Sequence, residues 1–218
     1  PTGRVRIRVL GPDGQPVGAR IYVDASDSRH YSPDDAFDRS MMVFDRHYFH
    51  MTADAEVEVP AGRTTIEAVR GWQFKPKAVT VDVPAAGVQT ATIRLERLVD
   101  LAARGWYSGD SHVHDLHQGF GQTHESFFRQ LVAEDINVTH ALIHMDGTRL
   151  MGRWGDLTGK PSALSTASHI LQYAQEYRGS LGHIGMIGLR EFILPFLGGA
   201  GGTAHAQPSF VHTLRDGA

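Results

Sequence analysis

The chain has 218 residues, 41% hydrophobic and 21% charged, with a formal net charge of −3 at pH 7. That is length enough for one large domain or two modest ones, in an ordinary soluble composition. No stretch approaches about eighteen uninterrupted apolar residues and no basic block occurs, which argues against a membrane span and against nucleic acid or an anionic membrane as partner. Cysteine is absent, so disulfides, thiolate metal sites and cysteine nucleophiles are excluded, while histidine is abundant at thirteen, several of them after residue 110.

Residues 3–97 read as strands. Val5, Ile7 and Val9 alternate with Arg4, Arg6 and Arg8, the period-2 pattern of a half-buried strand. Gly11-Pro12-Asp13-Gly14 supplies a turn before Ile21 and Val23, and 55–59, 64–69, 77–83 and 88–96 continue the pattern. In the last of these Ala91, Ile93 and Leu95 share one face. Pro60-Ala61-Gly62 and Pro84-Ala85-Ala86-Gly87 are turns, and 26–40, rich in Asp, Ser and Pro, reads as a long surface excursion. The spacing predicts a small antiparallel β-sandwich over 1–98.

From residue 99 the texture changes. Residues 106–114 predict a strand and 123–134 a helix, with Thr123 as N-cap, Glu125 at the positive end of the dipole, and an apolar face of Phe127, Phe128, Leu131 and Val132. Residues 136–144 predict a strand, 166–177 a second helix with Ile170, Tyr173, Ala174 and Tyr177 inward, and 182–189 another buried strand. This alternation predicts a parallel sheet or barrel over 99–218, and an α+β multidomain chain overall. Gly198–Gly202 reads as a flexible loop, with no Lys or Ser/Thr placed to make a phosphate cradle.

The strongest chemical signal is Asp110-Ser111-His112-Val113-His114. On a strand, residues i and i+2 share a face, so His112 and His114 present two imidazoles side by side, suited to a borderline metal such as Zn, Mn, Fe or Ni. Asp110 lies on the same face and could orient a ligand imidazole or bind directly. The competing reading is two exposed histidines on an edge strand. No G-x-S-x-G elbow, P-loop or G-x-G-x-x-G competes with metal chemistry.

The segment Gly105-Trp106-Tyr107-Ser108-Gly109-Asp110-Ser111-His112-Val113-His114 resembles the opening motif of the PHP superfamily, and more narrowly of the CehA/McbA-like metallohydrolases. Pro60-Ala61-Gly62-Arg63 and Arg70-Gly71 are similar to the N-terminal sandwich of that group, and Glu176-Tyr177-Arg178 with Gly182–Leu189 to its next block. The resemblance implies a distorted (β/α)-barrel binding one to three divalent metals (Zn, Mn or Fe). It implies His112 and His114 as paired ligands, Glu176 as a bridging carboxylate and His183 as the histidine that follows. His144, or Asp146 beside it, falls where the family places a further histidine. For Glu176 the alternative is a solvated surface charge, and for His183 a core histidine. His117, His124, His140 and His169 could serve as an outer shell, while His205 and His212 read as solvent-facing; His30, His47 and His50 belong to the sandwich. Trp106 and Tyr107 could line a pocket or seal a junction, and Arg149 and Arg153 could meet a phosphate.

The resemblance implies hydrolysis of an ester-type bond (phosphoester, carbamate or carboxylic ester) in a small-molecule substrate by metal-activated water. A second reading is a secreted binding or assembly subunit on a degenerate, non-catalytic PHP-like scaffold. Too little chain follows Asp100 for a whole barrel, which takes about 250 residues. The expectation is therefore an incomplete PHP-like domain, completed by further sequence, a homo-oligomer or another polypeptide. The opening at Pro1 without an initiator Met is compatible with export to the periplasm or outside.

Overall fold

In the computed structural model, the described residues are 1–41, 46–115, 121–146, 149–179 and 182–193. His117, Gly198–Gly202, His205 and His212 lie outside them, as do the side chains of Asp146 and Arg149. The chain divides into two compact units: Pro1–Tyr107 with Phe128–Ile136, and Ser108–Phe127 with the residues from Asn137 onward. The division thus falls at 107/108, nine residues beyond the expected 98/99, and 128–136 returns to the first unit.

Unit 1 is β-rich. Its strands are β1 (Thr2–Leu10), β2 (Ala19–Asp24), β3 (Arg39–Met41), β4 (Arg46–Met51), β5 (Ala55–Pro60), β6 (Gly62–Val69), β7 (Lys77–Val83) and β8 (Val88–Arg94). They form a three-stranded sheet, β5-β1-β8, and a five-stranded antiparallel sheet, β3-β4-β2-β6-β7. Alternation along β1 follows the pattern in the sequence: Val5, Ile7 and Val9 are buried and Arg4, Arg6 and Arg8 exposed. Ala91, Ile93 and Leu95 are buried together with Ile21, Val23, Phe49 and Ile66 in one sandwich core. Each Val, Leu, Ile or Phe side chain so withdrawn from water contributes about 1.5–3 kcal/mol. The pairing departs from a purely antiparallel sandwich, because β1 and β8 run parallel, Ile7 facing Ala91.

Arg70 is buried in unit 1 and donates to the carbonyls of Gly18 and Val132, both at 2.8 Å, and to the Asp135 carboxylate. Asp135 sits in the left-handed region (φ 57), the position that commonly ends a helix. Gly71 (φ 45) is required at its place, since a Cβ there would lie 2.7 Å from the Glu134 carbonyl oxygen.

Unit 2 holds β9 (Gly109–Val113), β10 (Val138–Asp146), β11 (Arg149–Met151), β12 (Ile170–Gly179) and β13 (Gly182–Met186). Strand β10 is central, parallel to β9 and β12 and antiparallel to β11, while β12 pairs antiparallel with β13. The single α-helix among the described residues, α1 (His124–Ala133), begins in unit 2 and ends in unit 1. Thr123 caps it, its Oγ1 accepting from the Ser126 amide at 3.1 Å, and Phe127 and Leu131 are its buried pair.

The second expected helix, over 166–177, is strand β12. Residues 173–177 of that strand are all buried, because it lies between β10 and β13 with both faces covered. Such a strand shows no alternation, and the spacing of Ile170, Tyr173, Ala174 and Tyr177 imitated a helical stripe. The strand–helix alternation therefore stops after one unit, and the expected barrel portion is here a mixed five-stranded sheet. The fold is β-rich, with several sheets and a sandwich-like first unit. No helix among the described residues is long and apolar enough to cross a membrane.

Candidate metal centre

The parallel run of β9, β10 and β12 brings three carboxyl ends to one side of the sheet of unit 2, the edge where open α/β sheets commonly place ligands. His112 is on β9 and His114 follows its last residue. His144 is near the end of β10, and Glu176 lies next to it because Ile143 pairs with Gln175. On β13, Gly185 faces Glu176, so His183, two residues away, presents to the same face.

Glu176 is the centre of this cluster. Its side chain is 1% exposed, and neither carboxylate oxygen accepts a hydrogen bond. The polar atoms around it are imidazole nitrogens: His183 Nδ1 at 2.9 Å and His112 Nε2 at 3.3 Å from Oε1, His114 Nε2 at 3.3 Å and His144 Nδ1 at 3.9 Å from Oε2. Ligand atoms of His112, His114 and Glu176 all lie within 4.8 Å of one another. Donors sharing one tetrahedral ion at about 2.0–2.2 Å stand roughly 3.3 Å apart, so the spacing suits shared ligation.

His114 carries a further sign of that chemistry. Its Nδ1 lies 2.9 Å from the Leu142 carbonyl oxygen and donates to it, which leaves Nε2 facing Glu176. A lone pair and a buried carboxylate at that distance repel unless a proton or a cation lies between them. The donor set, two or more imidazoles with one carboxylate, fits a divalent transition metal.

Asp110 behaves locally: its Oδ1 accepts from the His112 backbone amide at 2.9 Å. The reason is a register shift in the β9–β10 pairing, where Thr139 faces Asp110 but Ala141 faces Val113. The extra residue breaks the simple i, i+2, i+4 face.

A second polar cluster was not foreseen. The Tyr173 hydroxyl donates to Asp115 Oδ2 (2.8 Å) and lies 2.5 Å from His124 Nδ1, while Arg153 bonds His124 Nε2 and Asp156. Burial, followed by the Asp115 charge, pushes the Tyr173 phenol well above its ordinary value of 10.0. These residues come from separate elements, so no local spacing signals them. Arg153 is thereby engaged within the protein. His140 is half-buried, and burial lowers its pKa, while His169 lies 3.1 Å from Ser168 Oγ.

No family model matches the chain, and no curated protein matches it. Solved structures similar to it include the Bacillus anthracis TIE protein, at 14% identity and TM-score 0.31, covering 44% of this chain and 16% of that one. They also include GBS52, the minor pilin in the Gram-positive pathogen Streptococcus agalactiae, at 13% identity and TM-score 0.32, covering 45% and 46%. The chain spans less than half the length of either, and likenesses this slight carry no functional argument. The resemblance to CehA/McbA-like PHP metallohydrolases is corrected accordingly: the comparisons lead to a TIE protein and a minor pilin and not to a PHP hydrolase. A short motif such as Gly105–His114 constrains one strand and its turn, and the placement of 170–177 in strand β12 removes a helix on which the barrel reading depended.

Proposed function

We propose that this chain is a binding or assembly module that holds a divalent ion (Zn, Mn or Fe) at His112, His114 and Glu176, with His144 and His183 within reach. The observation that carries the metal is the Glu176 carboxylate, buried, without a hydrogen-bond donor, and ringed by imidazoles. A divalent ion bound there would offset the buried negative charge and tie the end of β9 to β12. The binding role is supported by apolar side chains left in solvent in unit 1. Trp72 is 97% exposed, and its neighbour Gln73 holds the exposed Leu98 and Leu101 through hydrogen bonds of 2.7 Å each. Exposed apolar surface of this kind is common where proteins meet partners.

A second reading, hydrolysis of an ester-type bond, is favoured by the openness of the cluster: the His112 and His183 side chains are 53% and 47% exposed, leaving a side open to water and a small ester. A bound ion there would supply Lewis acidity and lower the pKa of a coordinated water.

Elemental analysis of the protein as isolated, beside a His112→Ala/His114→Ala variant, tests the proposal. About one equivalent of Zn, Mn or Fe that disappears in the variant is expected. A wild type that takes up no metal even on reconstitution would contradict it. Turnover of a phosphoester or carbamate by the loaded protein would favour the hydrolytic reading over the binding one.

A further inference from the structure

Unit 1 contains a cavity of about 420 Å³, within the size range of small-molecule sites. None of its lining residues belongs to the histidine cluster. Its walls come from three places: the excursion at 33–36, the turn between β4 and β5, and Arg129 of helix α1. Phe49 and Met51, both buried, are among its lining residues. His50 beside them is buried too, and its Nε2 lies 2.8 Å from Glu134 Oε1. Burial lowers the His50 pKa, so the imidazole meets the cavity as a neutral group.

The charges around the cavity are unevenly matched. Asp54 pairs with Arg8 at 3.1 Å, and Glu56 with Arg4 and Arg6 at 2.7 and 3.1 Å. Arg129, half-buried, and Asp35, exposed, have no counter-ion among the described residues. A guanidinium partly withdrawn from water at a cavity wall favours a carboxylate partner, which it can hold through two parallel N–H bonds. A ligand that was only an anion would also meet the carboxylates of Asp35 and Asp54. One that was only a cation would meet Arg129. A ligand carrying both charges satisfies both walls.

We infer that this cavity binds a small zwitterion of the amino-acid type, its carboxylate on Arg129, its ammonium on Asp35, and its apolar substituent over Phe49 and Met51. The long excursion at 26–40 then has a role, as the strap that supplies the anionic wall.

Isothermal titration calorimetry on the full chain tests this with L-phenylalanine, L-leucine and L-serine, against 3-phenylpropionate and 2-phenylethylamine. At least one amino acid should bind, and for L-phenylalanine the two single-charge analogues should bind about tenfold more weakly or worse, the loss expected when one charge-assisted contact is removed. Arg129→Gln and Asp35→Asn should each weaken the amino acid about as much, with near-ultraviolet circular dichroism showing the fold retained. The His112→Ala/His114→Ala variant should bind it as the wild type does, so failure here and failure of the metal proposal are distinguishable. No heat from any of the three amino acids at millimolar concentration would overturn the inference. So would analogues as tight as the amino acid, or wild-type affinity in both single variants.

Discussion

Glu176 Oε1 stands 2.9 Å from Nδ1 of His183 across the antiparallel β12–β13 pair, at a position where the Glu176 side chain is 1% exposed. A carboxylate taken that far out of water costs several kcal/mol unless charge is supplied close by. The surrounding imidazoles fill that role only with a proton or a metal between the donors.

Glu176→Gln removes the charge and keeps the shape. In chelator the variant should be more stable than the wild type, by about 1–3 kcal/mol, because an uncompensated buried anion is gone. With Zn at a hundredfold excess over its Kd, the wild type should gain about 2.7 kcal/mol and the variant nothing. Urea denaturation with and without metal reads both. A variant less stable than the wild type in chelator would mean that protonated histidines, not a metal, hold the carboxylate.

Arg70 should be among the most sensitive residues of unit 1. Its guanidinium serves two carbonyls and the Asp135 carboxylate inside the protein. Arg70→Met leaves Asp135 without its cation, removes the guanidinium from the Gly18 carbonyl, and leaves the Val132 carbonyl only the Asp135 amide at 3.3 Å. The expected loss is about 3–5 kcal/mol in urea denaturation. A loss below about 1 kcal/mol would show that water replaces the guanidinium there.

His50 sets a pH dependence with a definite sign. Burial outweighs the neighbouring Glu134 and holds the folded-state pKa below 6.5, with Arg39 and Arg20 acting in the same direction as burial. As pH falls through 6.5 the unfolded chain takes up a proton before the folded chain does, so this contribution to stability is full above 6.5 and is lost toward acid pH. His50→Gln should flatten the slope of the urea midpoint between about pH 7 and pH 5. An unchanged slope would remove His50 as its source.

Tyr173→Phe deletes the hydroxyl that donates to Asp115 Oδ2 and leaves that oxygen with His124 Nδ1, 3.0 Å away. The expected cost is about 1–3 kcal/mol, and Asp115→Asn in the same background should recover part of it. Additive losses in the double variant would place the two residues in separate networks.

Much of unit 1 was legible in the sequence because β1, β5, β6 and β8 each bury one face. The alternation of Val5, Ile7 and Val9 with three arginines states both the strand and its inner side. The same logic fails for β12, which is covered on both faces, and it misplaced Glu176 at the end of a helix instead of the middle of a buried strand. The pairing of His112 with His114 follows from strand period alone, and their rings stand 5.6 Å apart. The convergence of His144, Glu176 and His183 depends on strand order and register, which no local pattern encodes. The Asp115–Tyr173–His124 contact is of the same kind, three residues brought together by tertiary pairing only. The parallel β1–β8 pair was missed because period-2 alternation carries no information about strand direction.

Metal binding at this cluster is read from the visible absorption spectrum of the cobalt(II)-loaded protein. The wild type should show d–d bands of a low-coordinate nitrogen–oxygen site that saturate near one equivalent and are lost or shifted in His112→Ala, His114→Ala and Glu176→Gln, each measured alone. A spectrum of hexa-aqua cobalt in the wild type, or bands that survive all three substitutions, would contradict a metal centre at this cluster.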